Sequence, residues 1–210
     1  MKTFKNISFK LIAALFVLLA LPTNGQAQVV DKMYLNADWQ INIPLGNDFA
    51  SGASGWGANF EGGYYATPQL GIGLFVAYST NNERIGKESL MLEDGSTITA
   101  EQQHSVFQLP FGAALRYRFM PENQFIPYVG LKLGANYAQM STYMNTFKVY
   151  DNTWGFYMSP EIGANMFLTA DKKFGIHVAA YYSYGSNDGR VLTYNINSLN
   201  NFGIRLGVCF

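Results

Sequence analysis

The sequence is short of the side chains from which most catalytic and metal sites are built. It has one cysteine, two histidines, and 14 basic against 14 acidic residues in 210 positions. The lone Cys209 excludes an internal disulfide. Neither His104 nor His177 has a cysteine or second histidine at ligand spacing, so no metal site and no cofactor is expected. Gly71-Ile72-Gly73 is half of a dinucleotide fingerprint, but no helix pattern follows it. Long apolar runs are missing too. The exception, Leu11 to Leu21, follows Lys2, Lys5 and Lys10 and precedes the small residues Gly25 and Ala27. That pattern predicts a cleaved signal peptide over 1–27, too short for a membrane helix. No later stretch reaches the ~18 apolar residues of a spanning helix. Without those three lysines the chain carries 11 basic and 14 acidic residues, a balance of −3 that offers nothing to nucleic acid. Residues 28–210 suit one domain.

Glycine and aromatics are abundant instead, with 21 Gly, 16 Phe and 14 Tyr. They fall in segments that alternate with period two. In 33–43, Met33, Leu35, Ala37, Trp39, Ile41 and Ile43 form one face, and Tyr34, Asn36, Asp38, Gln40 and Asn42 the other. The pattern recurs over 56–66, 70–80, 105–119, 125–139, 156–168, 174–184 and 202–210, eight strands in all. Eight is even, as an antiparallel barrel with both ends on one side requires. Connections alternate as well: long at 46–55, 81–102, 141–154 and 185–197, short at 67–69, 120–124 and 169–173. The expected fold is all-β, an eight-stranded antiparallel up-and-down transmembrane β-barrel. Its apolar face meets lipid, and Trp56, Tyr64, Phe119, Phe125, Trp154, Phe156, Phe174, Tyr184 and Phe210 form belts at the two interfaces. A soluble eight-stranded barrel of the lipocalin kind would turn this face inward, but too few charges occupy the face that would then meet water.

Asp94-Gly95 predicts a two-residue hairpin turn. Pairing outward from it sets Leu92 opposite Thr97, Leu90 opposite Thr99, Tyr78 opposite Phe111, Leu74 opposite Leu115, and Leu70 opposite Phe119. One hairpin, roughly 70–119, then continues well past the membrane. Pro110 and Pro160 sit inside strands, where each removes a ladder donor, and a bulge or a water is expected at both.

The inward face collects Asp38, Glu61 and Glu161 against Arg116, Arg118, Lys132 and Arg205, with His177 nearby. An eight-stranded wall encloses just enough room for side chains. These charges must therefore pair. An ion-paired core and a narrow conduit opened by exchanging partners both fit the pattern. His104 and Ser105 fall on opposite faces of a strand and cannot form a nucleophile–base pair directly. No enzymatic activity is expected.

The final strand, Phe202 to Phe210, alternates and stops on an aromatic residue. With the eight strands and the signal peptide, it resembles the small bacterial outer-membrane β-barrel superfamily, of the OmpX and OmpA transmembrane-domain type. The resemblance implies a monomer in the cell outer membrane of a Gram-negative bacterium, embedded in its lipid. Phe210 would then be the signal read by the barrel-assembly machinery. It also implies a structural or surface-interaction role through the outer loops, with an external ligand met chiefly by 81–102. A porin-like channel for small solutes is the alternative, and a lipid-modifying enzyme a second one. The His-x-Ser of the lipid A deacylases is absent here, and no peptidoglycan-binding segment follows Phe210.

Overall fold

The computed structural model describes residues 32–46, 49–91, 95, 97–144, 147–169 and 171–210. The predicted signal peptide, together with Asp94 and Leu92 of the predicted turn, lies outside them. Among the described residues ten strands form: β1 (Met33–Leu45), β2 (Gly57–Tyr65), β3 (Leu70–Met91), β4 (Thr97–Arg118), β5 (Phe125–Met144), β6 (Phe147–Phe167), β7 (Gly175–Gly185), β8 (Gly189–Val191), β9 (Tyr194–Ile196) and β10 (Leu199–Cys209). Eight of them close a barrel in which each strand pairs antiparallel with the next and β10 returns to β1, while β8 and β9 make a separate hairpin. The seam closes with Ala37 opposite Val208 and Ile41 opposite Ile204, and the backbone of Phe210 exchanges hydrogen bonds with Leu35 at 2.9 and 3.1 Å.

The alternation in sequence becomes inside and outside. Leu74 is 72% exposed and Ile204 47%, whereas Arg116 is 1% and Arg205 0% exposed. A soluble protein would invert this arrangement, because apolar surface is what water expels. The outside of this wall is therefore built for hydrocarbon. Trp56 and Trp154 ring the long-loop end, and Phe119, Phe125 and Phe210 the short-turn end, all exposed.

Two glycine pairs sit directly across strands, Gly63 opposite Gly73 and Gly112 opposite Gly134. A Cβ on Gly134 would lie 2.0 Å from the Phe111 carbonyl oxygen, and one on Gly73 would lie 2.4 Å from that of Gly62. The wall coils too tightly at these points to admit a side chain.

Three expectations change. First, β3 and β4 pair two residues away from the expected register: Leu70 meets Tyr117, Leu74 meets Ala113 and Val76 meets Phe111. An even slip keeps every side chain on its face, so the hydrophobic pattern could not detect it. Above the wall the register shifts by one between Ile85 and Glu88, so nearer the tip the pairing is a single residue from the expected one, with Leu90 opposite Ile98 in place of Thr99. Second, neither proline makes a bulge. Pairing is interrupted beside Pro110, between Val76↔Phe111 and Ser79↔Gln108, and beside Pro160, between Met158↔Tyr184 and Glu161↔Tyr181, with unchanged register across each gap. Each proline keeps its pairing with β5 and loses only the side from which its N–H is missing. Third, the expected connection at 141–154 is strand over its described residues, 141–144 and 147–154. β5 and β6 stay paired up to Met144 and Phe147, because Thr142, Tyr143, Val149 and Tyr150 are good strand formers.

Candidate functional site

The interior is layered. At the short-turn end Tyr34 packs on Tyr65, with ring centroids 5.0 Å apart. Above them lies an ionic layer whose members, Asp38 and His177 included, come from seven strands. Arg116 meets Glu61 at 2.9 Å, and Lys132 bridges Glu61 at 2.9 Å and Glu161 at 3.0 Å. Arg205 pairs with the same Glu161 oxygen, and Arg116 approaches that residue's other oxygen at 3.8 Å. Each of these five side chains is at most 1% exposed. With its amide oxygen turned towards Arg116, Asn36 accepts from the guanidinium at 3.1 and 3.2 Å. Tyr128 and Tyr34 stack on Arg116, and Tyr181 on Arg205, at 3.9, 4.7 and 3.9 Å. Ring faces supply attraction that water would otherwise give.

Asp38 joins through two contacts, accepting from Asn59 at 2.8 Å and facing Nδ1 of His177 at 2.5 Å. The other nitrogen of His177 lies 2.7 Å from the Tyr128 hydroxyl, which also donates to Glu161 at 3.0 Å. Three carboxylates thus balance three permanent cations. Desolvating this many charges is tolerable only when the set is complete. Gly130 leaves the space Glu161 occupies, since a Cβ there would meet that side chain at 2.9 Å.

Seven of the eight expected residues therefore come together: Asp38, Glu61, Arg116, Lys132, Glu161, His177 and Arg205. Arg118 does not. It sits half-buried at the short-turn rim, stacks on Tyr65 at 3.6 Å and donates to the Pro68 carbonyl. The two-residue step from Arg116 keeps its face but carries it along the barrel axis out of the layer. Tyr128 and Tyr181 were missed as site members. Their signal was phase, since both lie four residues from Lys132 and His177, on the same face.

Above the ions come amides. Asn136 donates to Asn187 at 2.8 Å and to Gln108 at 3.2 Å, and Asn187 returns a bond to the Asn136 carbonyl at 3.0 Å. Asn187 lies in the connection after β7, so these bonds pin that connection into the mouth.

The long-loop mouth is closed by an apolar cluster. Phe49 and Ala50 from the β1–β2 connection, and Val191 and Ile196 from the β8–β9 hairpin, pack on Val106, Ala138, Met140 and Leu199 of the wall. Beside it lies His104. Its ring stacks on Phe49 at 4.3 Å and meets Tyr194 edge-on at 4.9 Å. Nδ1 is 2.8 Å from the Phe49 carbonyl and Nε2 3.3 Å from Gln102 Oε1. Burial pushes its pKa below the usual histidine value, while the Phe49 carbonyl and the Glu83 carboxylate pull it back up. Glu83, His104 and Thr142 fall on one cross-strand row, an acid, an imidazole and a hydroxyl. Both ring nitrogens are already committed elsewhere, so this row is not wired as a nucleophile–base pair.

A closed meander that is apolar outside and ionic inside defines an integral membrane β-barrel. The chain belongs to the outer membrane protein beta-barrel domain family, which matches residues 11–210. It therefore sits in the outer membrane. Among solved structures it is similar to Neisserial surface protein A, at 16% identity and TM-score 0.56, covering 84% of this chain and 95% of that one. OprG of Pseudomonas aeruginosa is similar at 16% identity and TM-score 0.48, covering 85% and 94%. Ail of Yersinia pestis is similar at 12% identity and TM-score 0.42, covering 85% and 97%. At these identities the likeness speaks for the fold alone. No curated protein matches the sequence.

Proposed function

We propose that this protein is a surface-interaction barrel. The wall holds it in the outer membrane, and the projecting sheet of β3, β4, β5 and β6 meets a protein partner outside. The observation that carries this reading is a pair of open strand edges. The barrel-wall partners of the outer strands stop early: β2 last pairs β3 at Ser79, and β7 reaches β6 only from Tyr157 onward. Just beyond those points neighbouring connections cap both edges: Thr80 N–H donates to the Trp56 carbonyl, Phe156 exchanges bonds with Ser186, and Asn187 donates to the Thr153 carbonyl. Further out, β3 above Glu83 and β6 from Phe147 to Tyr150 have a ladder partner on one side only, while β3 and β4 stay paired to Met91 and Thr97. At roughly 3.3 Å per residue the hairpin travels about 40 Å along the strand past the last pairing with β2. Unpaired backbone N–H and C=O groups are a template for an added strand. The two edges differ. β3 carries Glu83, Arg84, Lys87 and Glu88, the usual protection against pairing. β6 has one charge between Phe147 and Tyr150, Lys148, which lies over the Tyr143 and Tyr150 rings at 5.2 and 5.1 Å, and it offers Phe147, Val149 and Tyr150, at 76, 37 and 55% exposure. The β6 edge is therefore the contact side, and an extended segment of a partner protein is its occupant.

The ionic layer serves as an internal rivet in this reading, the barrel works as a monomer, and Phe210 is presented to the assembly machinery during insertion. The test is adhesion. Cells displaying the wild-type barrel are compared with cells displaying V149K/Y150K on an array of immobilised extracellular proteins. Adhesion that the two added lysines abolish, with the heat-modifiable gel shift of the folded barrel unchanged, is the expected result. Equal adhesion by the two proteins, or none by either, would overturn it.

A further inference from the structure

The lipid-facing side of the wall does not stop at the aromatic belt. On β5 and β6 the same outward face continues past Tyr137 and Trp154, with Gln139 opposite Asn152, Ser141 opposite Tyr150 and Tyr143 opposite Lys148. We propose that this face seats the phosphorylated saccharide headgroup of a glycolipid in the surrounding membrane.

Height selects the class of lipid. Trp154, 65% exposed, marks the level where hydrocarbon gives way to headgroups. Lys148 stands six residues away from it on β6. That is about 20 Å along the strand and, at a tilt of about 40°, about 15 Å in height. The headgroup layer adds only about 5–8 Å to each side of a bilayer. An ordinary phospholipid therefore ends near Gln139 and Asn152, and a lipid with a tall headgroup is needed to reach Tyr143, Tyr150 and Lys148. On the opposite side of the barrel the described strands end close to the belt. There β1, β2, β7 and β10 reach Leu45, Gly57, Gly185 and Leu199, and Gly57 adjoins the belt residue Trp56.

The side chains of the face select the headgroup. The Asn152 amide oxygen accepts from the Tyr137 hydroxyl at 3.1 Å and from the Gln139 amide at 2.8 Å, and the Gln139 oxygen accepts from the Lys148 ammonium at 3.1 Å. Lys148 also lies 5.2 and 5.1 Å from the centroids of the Tyr143 and Tyr150 rings, whose π-faces hold it in place. The face is thus wired before a lipid arrives, which spares the ordering cost of loose side chains. Amides and phenols that both donate and accept suit sugar hydroxyls. The rings of Tyr143, Tyr150 and Trp154, all exposed, suit the apolar face of a pyranose. The ammonium suits a phosphate. No acid projects from this face over 137–143 and 148–154. Asp151 turns to the other face, where its carboxylate accepts from the Arg190 N–H at 3.0 Å. Asn145 and Thr146, between the two strands in sequence, are uncharged. On the neighbouring hairpin Arg84 is already paired with Glu101 at 2.7 Å, so the cation for a phosphate comes from β6. A strand added at the β6 edge would use backbone groups, whereas a headgroup on this face uses side chains, so neither binding event requires the other.

The test is an NMR titration of the isotope-labelled full barrel in phosphatidylcholine nanodiscs that carry a rising share of lipopolysaccharide. A saturable shift is expected in the side-chain amides of Gln139 and Asn152 and in the backbone amides of 137–143 and 148–154. The indole of Trp39, on the other side of the barrel, should show a smaller drift without saturation. K148A/N152A should raise the half-saturating mole fraction about fivefold or more. Both side chains are exposed, and unchanged signals from the remaining strands together with the heat-modifiable gel shift show that the variant is folded. Phosphatidylglycerol at matched charge supplies phosphate without saccharide, and it should leave the amides of Tyr143 and Lys148 in place. No saturable shift, an equal shift at Trp39, an equal response to phosphatidylglycerol, or a midpoint that K148A/N152A leaves unchanged would overturn the proposal.

Discussion

Glu61 on β2 and Arg116 on β4 meet at 2.9 Å inside the barrel, and neither side chain is more than 1% exposed. The strand between them, β3, contributes Gly71 and Gly73 to the same inner face, so nothing separates the two groups. The pair shows how the interior is stabilised: short side chains on one strand make way for long charged ones on its neighbours.

Removing one charge from such a set strands the others. Glu161 faces Lys132, Arg205 and Arg116, so Glu161→Gln should destabilise the barrel by about 3–5 kcal/mol. Arg84→Ala breaks a pair with Glu101 whose side chains are 77 and 58% exposed, and should cost under about 1 kcal/mol. Urea unfolding in lipid vesicles reads both. Equal effects would contradict the layered interior.

The outer surface makes the opposite demand. Leu74 stands 72% exposed in mid-wall. Leu74→Arg should lower stability by about 2–4 kcal/mol in a bilayer, as a charge at the membrane midplane does. Folding at unchanged stability would mean that this face does not meet acyl chains.

Acid should loosen the cap. His104 has its pKa lowered in the folded state by burial. The folded barrel then holds fewer protons than the unfolded chain just below pH 6.5, so the contribution of His104 to stability is complete above that pH and falls away as pH drops. Unfolding midpoints measured from pH 8 to 5 should decline on the acid side, and His104→Phe should flatten that part of the decline. A slope that survives the substitution assigns the acid sensitivity to other groups.

The wall was legible because membrane insertion writes a strict two-residue alternation, and every inward charge except Arg118 could be placed from it. The β3–β4 register was not, because a slip of two leaves Leu70, Leu74 and Val76 on the same face. The mouth was hidden for a different reason. Phe49, Val191 and Ile196 lie in connections with no period, and their burial depends on two connections meeting across the barrel. Apolar residues stranded among polar loop neighbours were the signal available. The β8–β9 hairpin was equally opaque, since its turn uses Leu192 where a glycine would have announced it.

The central claim is a sealed lumen, ionic below and apolar at the mouth, in a barrel that works through its outer surface. Single-channel recording of the purified, refolded protein in a planar bilayer tests it most directly. The wild type should insert, as the heat-modifiable shift verifies, and leave the bilayer without steady conductance. Long-lived open channels whose amplitude changes in Glu61→Gln or Arg116→Gln would contradict the account and make the interior a pore.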